Sequence, residues 1–423
     1  MTRGPGGVDA DVVVVGGGLA GLRAGRDLAE AGKSVVLLEA RARLGGRTWT
    51  RPFPATTELV EVGGSWFTPD HVEAPSELRR YGLGVRIWDA PTGCVWRTEG
   101  ELRRGLPVPP EQLGALERSL VRIVSDAEQW RAGTVGELAD LSCEEYLARL
   151  APPDAVREFL VAWWAVIGGT HPASGAIADA LATVGGHDGV AGVLMALRFT
   201  PTPGWSTLAE RMSATVGLEV RLDAPVTSLR QDGVSVEVTT ADGSVCARRA
   251  VVAVPVNALP SIAFDPPLPA PTAAALGSNA GRALKLCIRA TGVAPGTLAA
   301  GAGHGLQWLL ADRSLGGEDV LLVGFGWADA SFDPDRTEHV ERALRAFFPE
   351  ARLERWDWHD WNADPYSRGT WANAPAGASG LLRHERFPPD GRVCFATSDV
   401  ARRDAGWIEG ALVAGADAAR WAG

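Results

Sequence analysis

Lysine is almost absent from this chain of 423 residues: of its 41 basic residues two are lysine, Lys33 and Lys285, and the rest are arginine. Against them stand 51 acidic residues, leaving a net charge of −10. No basic cluster offsets that balance, which excludes a surface built for nucleic acid or for an anionic membrane. Cysteine is scarce too. The five cysteines, Cys94, Cys143, Cys246, Cys287 and Cys394, are scattered and odd in number, and none forms a C-x-x-C pair. That excludes a disulfide framework and a zinc ribbon, and no metal is expected. The seven histidines, His171 and His187 among them, show no ligand spacing and read as structural or surface residues. No run of about 18 apolar residues occurs, so no membrane-spanning helix is expected. The opening "MTRGPGGVDADVVVVGGG" lacks an apolar signal-peptide core, and a reducing cytoplasmic setting fits best.

What is present begins with a core. Apolar residues make up 46 % of the chain, enough for two or three domains at roughly 150 residues each. The best-defined unit is "DADVVVVGGGLAGLRAGRDLAEAGKSVVLLEA". A buried strand over Asp11–Val15 leads into a G-x-G-x-x-G turn made by Gly16, Gly18 and Gly21, a helix runs to about Ala31, and "SVVLLE" is the next strand. Gly16 permits the tight turn, Gly18 lets backbone approach a pyrophosphate, and Gly21 lets helix and strand pack closely. Glu39 ends the second strand, where an acid accepts ribose hydroxyls. The pattern predicts a Rossmann-like, dinucleotide-binding α/β unit.

The middle of the chain reads as helical. "TVGELADLSCEEYLARL" contains two S/T-x-x-E patterns, Thr134–Glu137 and Ser142–Glu145, each predicting a capping box. "AVREFLVAWWAVIGG" and "GWSTLAERMSATVG" continue as helices. Short alternating strands come next, with Asp-Gly turns at 232–233 and 242–243, then the strand "ALKLCIRA" and a last strand and helix. Without repeats or a low-complexity linker, the domains are expected to be interleaved in sequence. In "ALKLCIRA", alternation puts Ala283, Lys285, Cys287 and Arg289 on one strand face, which by itself reads as a half-solvated face.

A second stretch, "EARARLGGRTWT", comes directly after the ribose-binding acid. With "VEVGGSWF", "LDAPVTSL" and "CFATSDVARRDAGWIEGALVAGADAA" it resembles the flavin amine oxidase superfamily, which includes monoamine, polyamine and L-amino-acid oxidases. The motifs run in family order from residue 11 to 419 and are weak between about 85 and 200. The resemblance implies a glutathione-reductase-type two-domain FAD fold. Its FAD domain would be discontinuous, 1–84, 202–274 and 365–423, with a substrate domain over 85–201 and 275–364. It implies that Arg41, Gly46 and Arg47 sit on the cofactor, with Arg47 on the pyrophosphate. Gly64, Ser65 and Trp66 would pass the flavin, Val226 meet the adenine, and Asp399, Trp407 and Ile408 close around the ring and ribityl chain.

The sequence departs from the family at Thr397, where Gly is usual, and at Asp399, where Glu is common. Thr370 stands where monoamine oxidases carry the cysteine bonded to flavin, so FAD is expected to be non-covalent. Lys285 matches the lysine that hydrogen-bonds through a water to flavin N5, and Trp371 and Trp407 match the two aromatic rings that cage the amine. The chemistry implied is hydride loss from a primary or secondary amine to flavin, giving an imine, with O2 as electron acceptor and hydrogen peroxide formed. The alternatives are an L-amino-acid oxidase, which needs a pocket arginine, and a carbon-skeleton desaturase or isomerase. The 16 tryptophans favour an apolar or aromatic amine. Trp66, Trp163, Trp164, Trp205 and Trp308 are candidates for either cavity or core. The oligomeric state stays open.

Overall fold

A computed structural model of the chain describes residues 8–88, 91–187, 189–327 and 331–423. Its first unit is the βαβ element that the sequence predicts. Strand β1 (Ala10–Val15) is Val-rich and buried along almost its whole length, as a parallel strand covered on both faces must be. Helix α1 (Leu19–Glu30) starts one residue after Gly18 and ends in a Schellman motif. There Gly32 takes a positive φ of 82°, its N–H reaches Ala29, and the N–H of Lys33 reaches Leu28. Strand β2 (Val35–Leu38) then pairs with β1 in parallel register, Val12 to Val35 through Val15 to Leu38.

These strands lie in an eight-stranded sheet. Leu218–Arg221 extends it beyond β2, and Gly243–Val252 pairs with β1 in parallel. Beyond that come the hairpin partners Val236–Thr240 and Val226–Gln231, then Ala263–Asp265, while Val393–Phe395 branches from Gly243–Val252. A seven-stranded sheet is built from other parts of the chain. Toward one edge strand β3 (Ala283–Thr291) pairs antiparallel with β4 (Asp319–Trp327), and Gly93–Thr98 lies near the other edge. Helix α2 (Glu73–Arg80) packs near α1, α3 (Ile177–Gly186) belongs to a helical layer over the second sheet, and α4 (Ile408–Ala422) lies along α1. Among the described residues no helix is long and apolar enough to cross a membrane.

Two local expectations are corrected. The Ser142–Glu145 capping box forms with both of its hydrogen bonds, but the Thr134–Glu137 pattern caps nothing. The Thr134 hydroxyl donates instead to the Gln129 carbonyl at the end of the preceding helix, and Gly136 adopts a left-handed φ of 60°. Residues Gly136–Asp140 then form a short 3-10 turn rather than an α-helix. Strand β3 has no half-solvated face: Ala283 to Ile288 are all buried, because the two strand faces look onto different apolar clusters.

Candidate active site

A cavity of about 390 Å³ runs between the two sheets. Its first wall comes from the turn after β1. At Gly16, with φ of 104°, a Cβ would sit 2.6 Å from the Ala253 carbonyl. Gly21 does not line the cavity: a Cβ there would lie 2.0 Å from the Gly16 carbonyl, so this glycine serves helix–strand contact. Gly18 is different, since a Cβ would meet nothing nearer than the Gly46 Cα at 3.8 Å. Gly18 and Gly46 thus face each other across the cavity wall, and the first turn of α1 carries no acidic residue against its free N–H groups. At the end of β2, Glu39 is buried; its carboxylate accepts from the Gly17 N–H at 2.6 Å and the Arg41 N–H at 2.9 Å, and it lines the cavity.

Arg41 and Arg47 are both engaged by the chain. Arg41 pairs with Asp364 at 2.5 Å. Arg47 donates to the Thr370 carbonyl at 2.6 Å and the Ser398 hydroxyl at 3.0 Å. Its guanidinium also lies 2.6 Å from Asp399 Oδ1, an ion pair outside hydrogen-bond alignment. The other Asp399 oxygen accepts from the Val256 N–H at 2.9 Å. Val226, Asp399 and Ile408 line the same cavity as these groups. The arrangement fits FAD on its own terms: a backbone cradle that any side chain at Gly18 would fill, a helix N-terminus free of acid, a carboxylate at the strand end, and Asp399 Oδ1 without an aligned donor.

The other end of the cavity is aromatic. Lys285 is 7 % exposed, and its Nζ donates to the Glu61 carbonyl at 2.5 Å, the Gly63 carbonyl at 2.8 Å and the Ser65 hydroxyl. Burial lowers its pKa from the ordinary lysine value, with Cys287, Glu61 and Asp312 acting in the opposite sense. Beside it the Glu61 carboxyl is pushed up to about 7 by burial, against the Trp205 N–H and the Thr50 hydroxyl that it accepts from. Gly64, Ser65 and Trp66 line the cavity, and the Lys285 Nζ stands 5.5 Å from the Trp66 ring.

Trp371 and Trp407 also line it. The Trp371 indole donates to the Ile167 carbonyl at 2.9 Å and meets Phe325 edge-on at 6.1 Å. Gly169 makes room for it, since a Cβ there would lie 2.5 Å from the indole. Trp407 is the N-cap residue of α4 and packs against His71 at 5.4 Å and His187 at 5.2 Å. Of the other tryptophans weighed from sequence, Trp66 reaches this cavity, whereas Trp163, Trp164, Trp205 and Trp308 are packed in the core away from it.

Several residues escaped the sequence reading. Trp361, Phe325, Asp179, His187 and Asp404 all line the cavity. His187, read as structural or surface, is buried in the cavity wall. No short-range spacing announces these residues, because they arrive from segments far apart in sequence.

Residues 19–421 match the family model for flavin containing amine oxidoreductases. The chain is 33% identical to the (S)-6-hydroxynicotine oxidase of Paenarthrobacter nicotinovorans, over 95% of this chain and 96% of that one. It is 28% identical to the pseudooxynicotine dehydrogenase of Pseudomonas sp, over 96% of this chain and 85% of that one. Its fold matches a solved putrescine oxidase bound to putrescine with a TM-score of 0.87 at 23% sequence identity, covering 97% of this chain and 98% of the other. With the cavity's cradle and a match across nearly the whole length, the chain belongs to the flavin-containing amine oxidoreductases, and its cofactor is FAD.

Proposed function

We propose that the chain oxidises a primary or secondary amine on an apolar or aromatic frame to the corresponding imine. FAD, when bound, supplies the two-electron acceptor for the hydride leaving the carbon beside nitrogen, with O2 as the final acceptor and hydrogen peroxide as product. The observation that carries this reading is one cavity whose polar, glycine-lined end is continuous with a tryptophan-lined end holding a buried lysine. Relatives named for hydroxynicotine and pseudooxynicotine support an amine on an aromatic frame.

In this reading Gly16, Gly18, Glu39, Arg41, Gly46, Arg47 and Val226 hold the adenosine diphosphate half of the cofactor, with Gly21 keeping α1 against β1. Asp399 and Ile408 hold the flavin and ribityl half, together with Gly64, Ser65, Trp66 and Trp407. Trp371 and Trp407 orient the amine between their faces and exclude water. Lys285 holds a proton-sharing ammonium at the cavity wall and presents it through the Ser65 hydroxyl. The strands support a two-part chain. Those of the eight-stranded sheet all fall within 1–84, 202–274 and 365–423, and those of the seven-stranded sheet within 85–201 and 275–364.

An amine is favoured over an amino acid because the arginines lining the cavity among the described residues are Arg41 and Arg47, both of which this reading already assigns to the cofactor. Non-covalent FAD is supported by the lining too: among the described residues it includes no cysteine. The five cysteines are unpaired, which suits a cytoplasmic setting. The test is anaerobic addition of amines, amino acids and a polyene to the yellow holoenzyme, followed by air. Bleaching by amines alone, with peroxide on reoxidation, is expected. Bleaching by the polyene alone overturns the reading, and colour return without peroxide overturns the role of O2.

A further inference from the structure

Behind Trp407 lies a buried polar cluster that the proposed chemistry leaves unused. His71, His187 and Asp404 each place a nitrogen or carboxylate oxygen within 4.8 Å of the others. His71 Nε2 and His187 Nδ1 are buried and find no hydrogen-bond partner among the described residues. His187 and Asp404 line the cavity, while Asp70, whose side chain is 67% exposed, stands 3.7 Å from His187 Nδ1. Asp404 itself adopts a left-handed φ of 52°, unusual for a residue with a side chain. The cluster therefore joins the cavity wall to the protein surface.

A metal does not suit it. His71 Nδ1 accepts from the Thr68 N–H at 3.2 Å, so the neutral ring carries its proton on Nε2, the atom turned to the cluster. A ligating histidine needs the reverse tautomer. Burial pushes the pKa of His71 down to about 3, with His187 as the next cause, so this ring stays neutral and acts as a fixed donor. Burial raises the pKa of Asp404, and Glu409 adds to the effect. The remaining charge nearby is Arg403, which lies 3.9 Å from Asp404, 3.4 Å from Glu409 and 3.7 Å from Glu73.

An amine must be neutral to lose hydride, yet in water near neutral pH an alkylamine is almost wholly ammonium, its pKa lying near the ~10.4 of a lysine side chain. Resting on the amine reading above, we propose that Asp404, His187 and Asp70 form a proton exit for the incoming ammonium. One N–H bond breaks and its electron pair stays on nitrogen. The proton passes to the Asp404 carboxylate or the His187 ring, then by Asp70 to solvent, while the His71 N–H steadies the charge that moves. No electron is transferred in this step.

The test is the pH profile of kcat/KM for the holoenzyme with two amines of different basicity. The acid limb is expected at the same pH for both, because it reports the relay. A limb that follows each amine's own pKa overturns the exit and leaves amine oxidation standing. Flavin that no amine bleaches at any pH overturns both. Asp404→Asn and His187→Asn are expected to move the limb alkaline by about one unit, lowering kcat/KM at pH 7 about tenfold. FAD-loaded variants whose limb stays at the wild-type pH overturn the proposal. If a variant fails to hold FAD, the two-amine comparison on the wild type decides alone.

Discussion

The ammonium of Lys285 spends its three N–H donors on the Glu61 carbonyl, the Gly63 carbonyl and the Ser65 hydroxyl. A guanidinium is a planar fork and cannot converge on three acceptors around one point, which is a reason for lysine at this position of an arginine-rich chain. Replacing it by methionine keeps an unbranched stem but strands those acceptors, a cost of about 1–3 kcal/mol. Flavin reduction or reoxidation is expected to slow on the order of 100-fold, as for loss of one preorganised electrostatic contact. A second readout separates charge from shape. Burial depresses the pKa of Lys285, so between its folded and unfolded values the unfolded chain binds more protons, and stability rises with pH. The stability difference between wild type and Lys285→Met should therefore shift toward the wild type as pH climbs toward ~10.4. A pH-independent difference with unchanged half-reactions would return Lys285 to a structural role. The residue's burial was not legible in the sequence: alternation gave its face correctly, but the apolar layers covering both sides of β3 come from distant segments.

Among the elements, the βαβ unit was legible almost to the residue because its signals are local: a Val run and three glycines at fixed spacing. The Thr134 pattern misled for the converse reason, since a capping box needs a helix after it and Gly136 turns the chain away. The wall contributed by α3 was illegible; its cavity-facing Asp179, Ala182, Thr183 and Gly186 share one helical face, but nothing local distinguishes that face from a core stripe. Two glycines of the first turn separate packing from binding. Gly21→Ala drives a Cβ to within 2.0 Å of the Gly16 carbonyl. The ~1 kcal/mol gained in helix propensity does not offset a backbone clash, so the apoprotein is expected to lose several degrees in Tm. Gly18→Ala meets only the Gly46 Cα at 3.8 Å. It should leave apoprotein stability within about 0.5 kcal/mol while lowering FAD affinity tenfold or more, because the added methyl occupies the cradle. Calorimetry of the apoproteins with FAD titration reads both, and equal behaviour of the two variants would contradict the assignment.

Over the whole molecule, the cavity divides two sheets. Val15, Leu38 and Val226 reach it from the eight-stranded sheet, and Lys285 and Phe325 from the seven-stranded one. A cofactor filling it touches both, so FAD is expected to stabilise the chain as a unit rather than one lobe. Binding to the folded state alone contributes about 2.7 kcal/mol at a hundredfold excess over Kd, raising Tm with FAD concentration. Arg47 ties this to one side chain. It carries the ion pair to Asp399, which is fully buried, and also faces the cavity. In Arg47→Ala two losses should appear together. The apoprotein loses stability because Asp399 is left without its counter-charge, the case in which breaking one partner costs most. The FAD-dependent rise in Tm should also weaken, because the guanidinium no longer offers its donors to a phosphate. Asp399→Asn separates them, since it removes the buried charge while leaving Arg47 in place. That variant should keep more of the concentration-dependent FAD shift than Arg47→Ala does, because the guanidinium still offers its donors to a phosphate. If Arg47→Ala shows the full wild-type shift on a less stable apoprotein, Arg47 serves the fold through Asp399 and the pyrophosphate is held elsewhere, by the Gly18–Gly46 cradle and the N-terminus of α1.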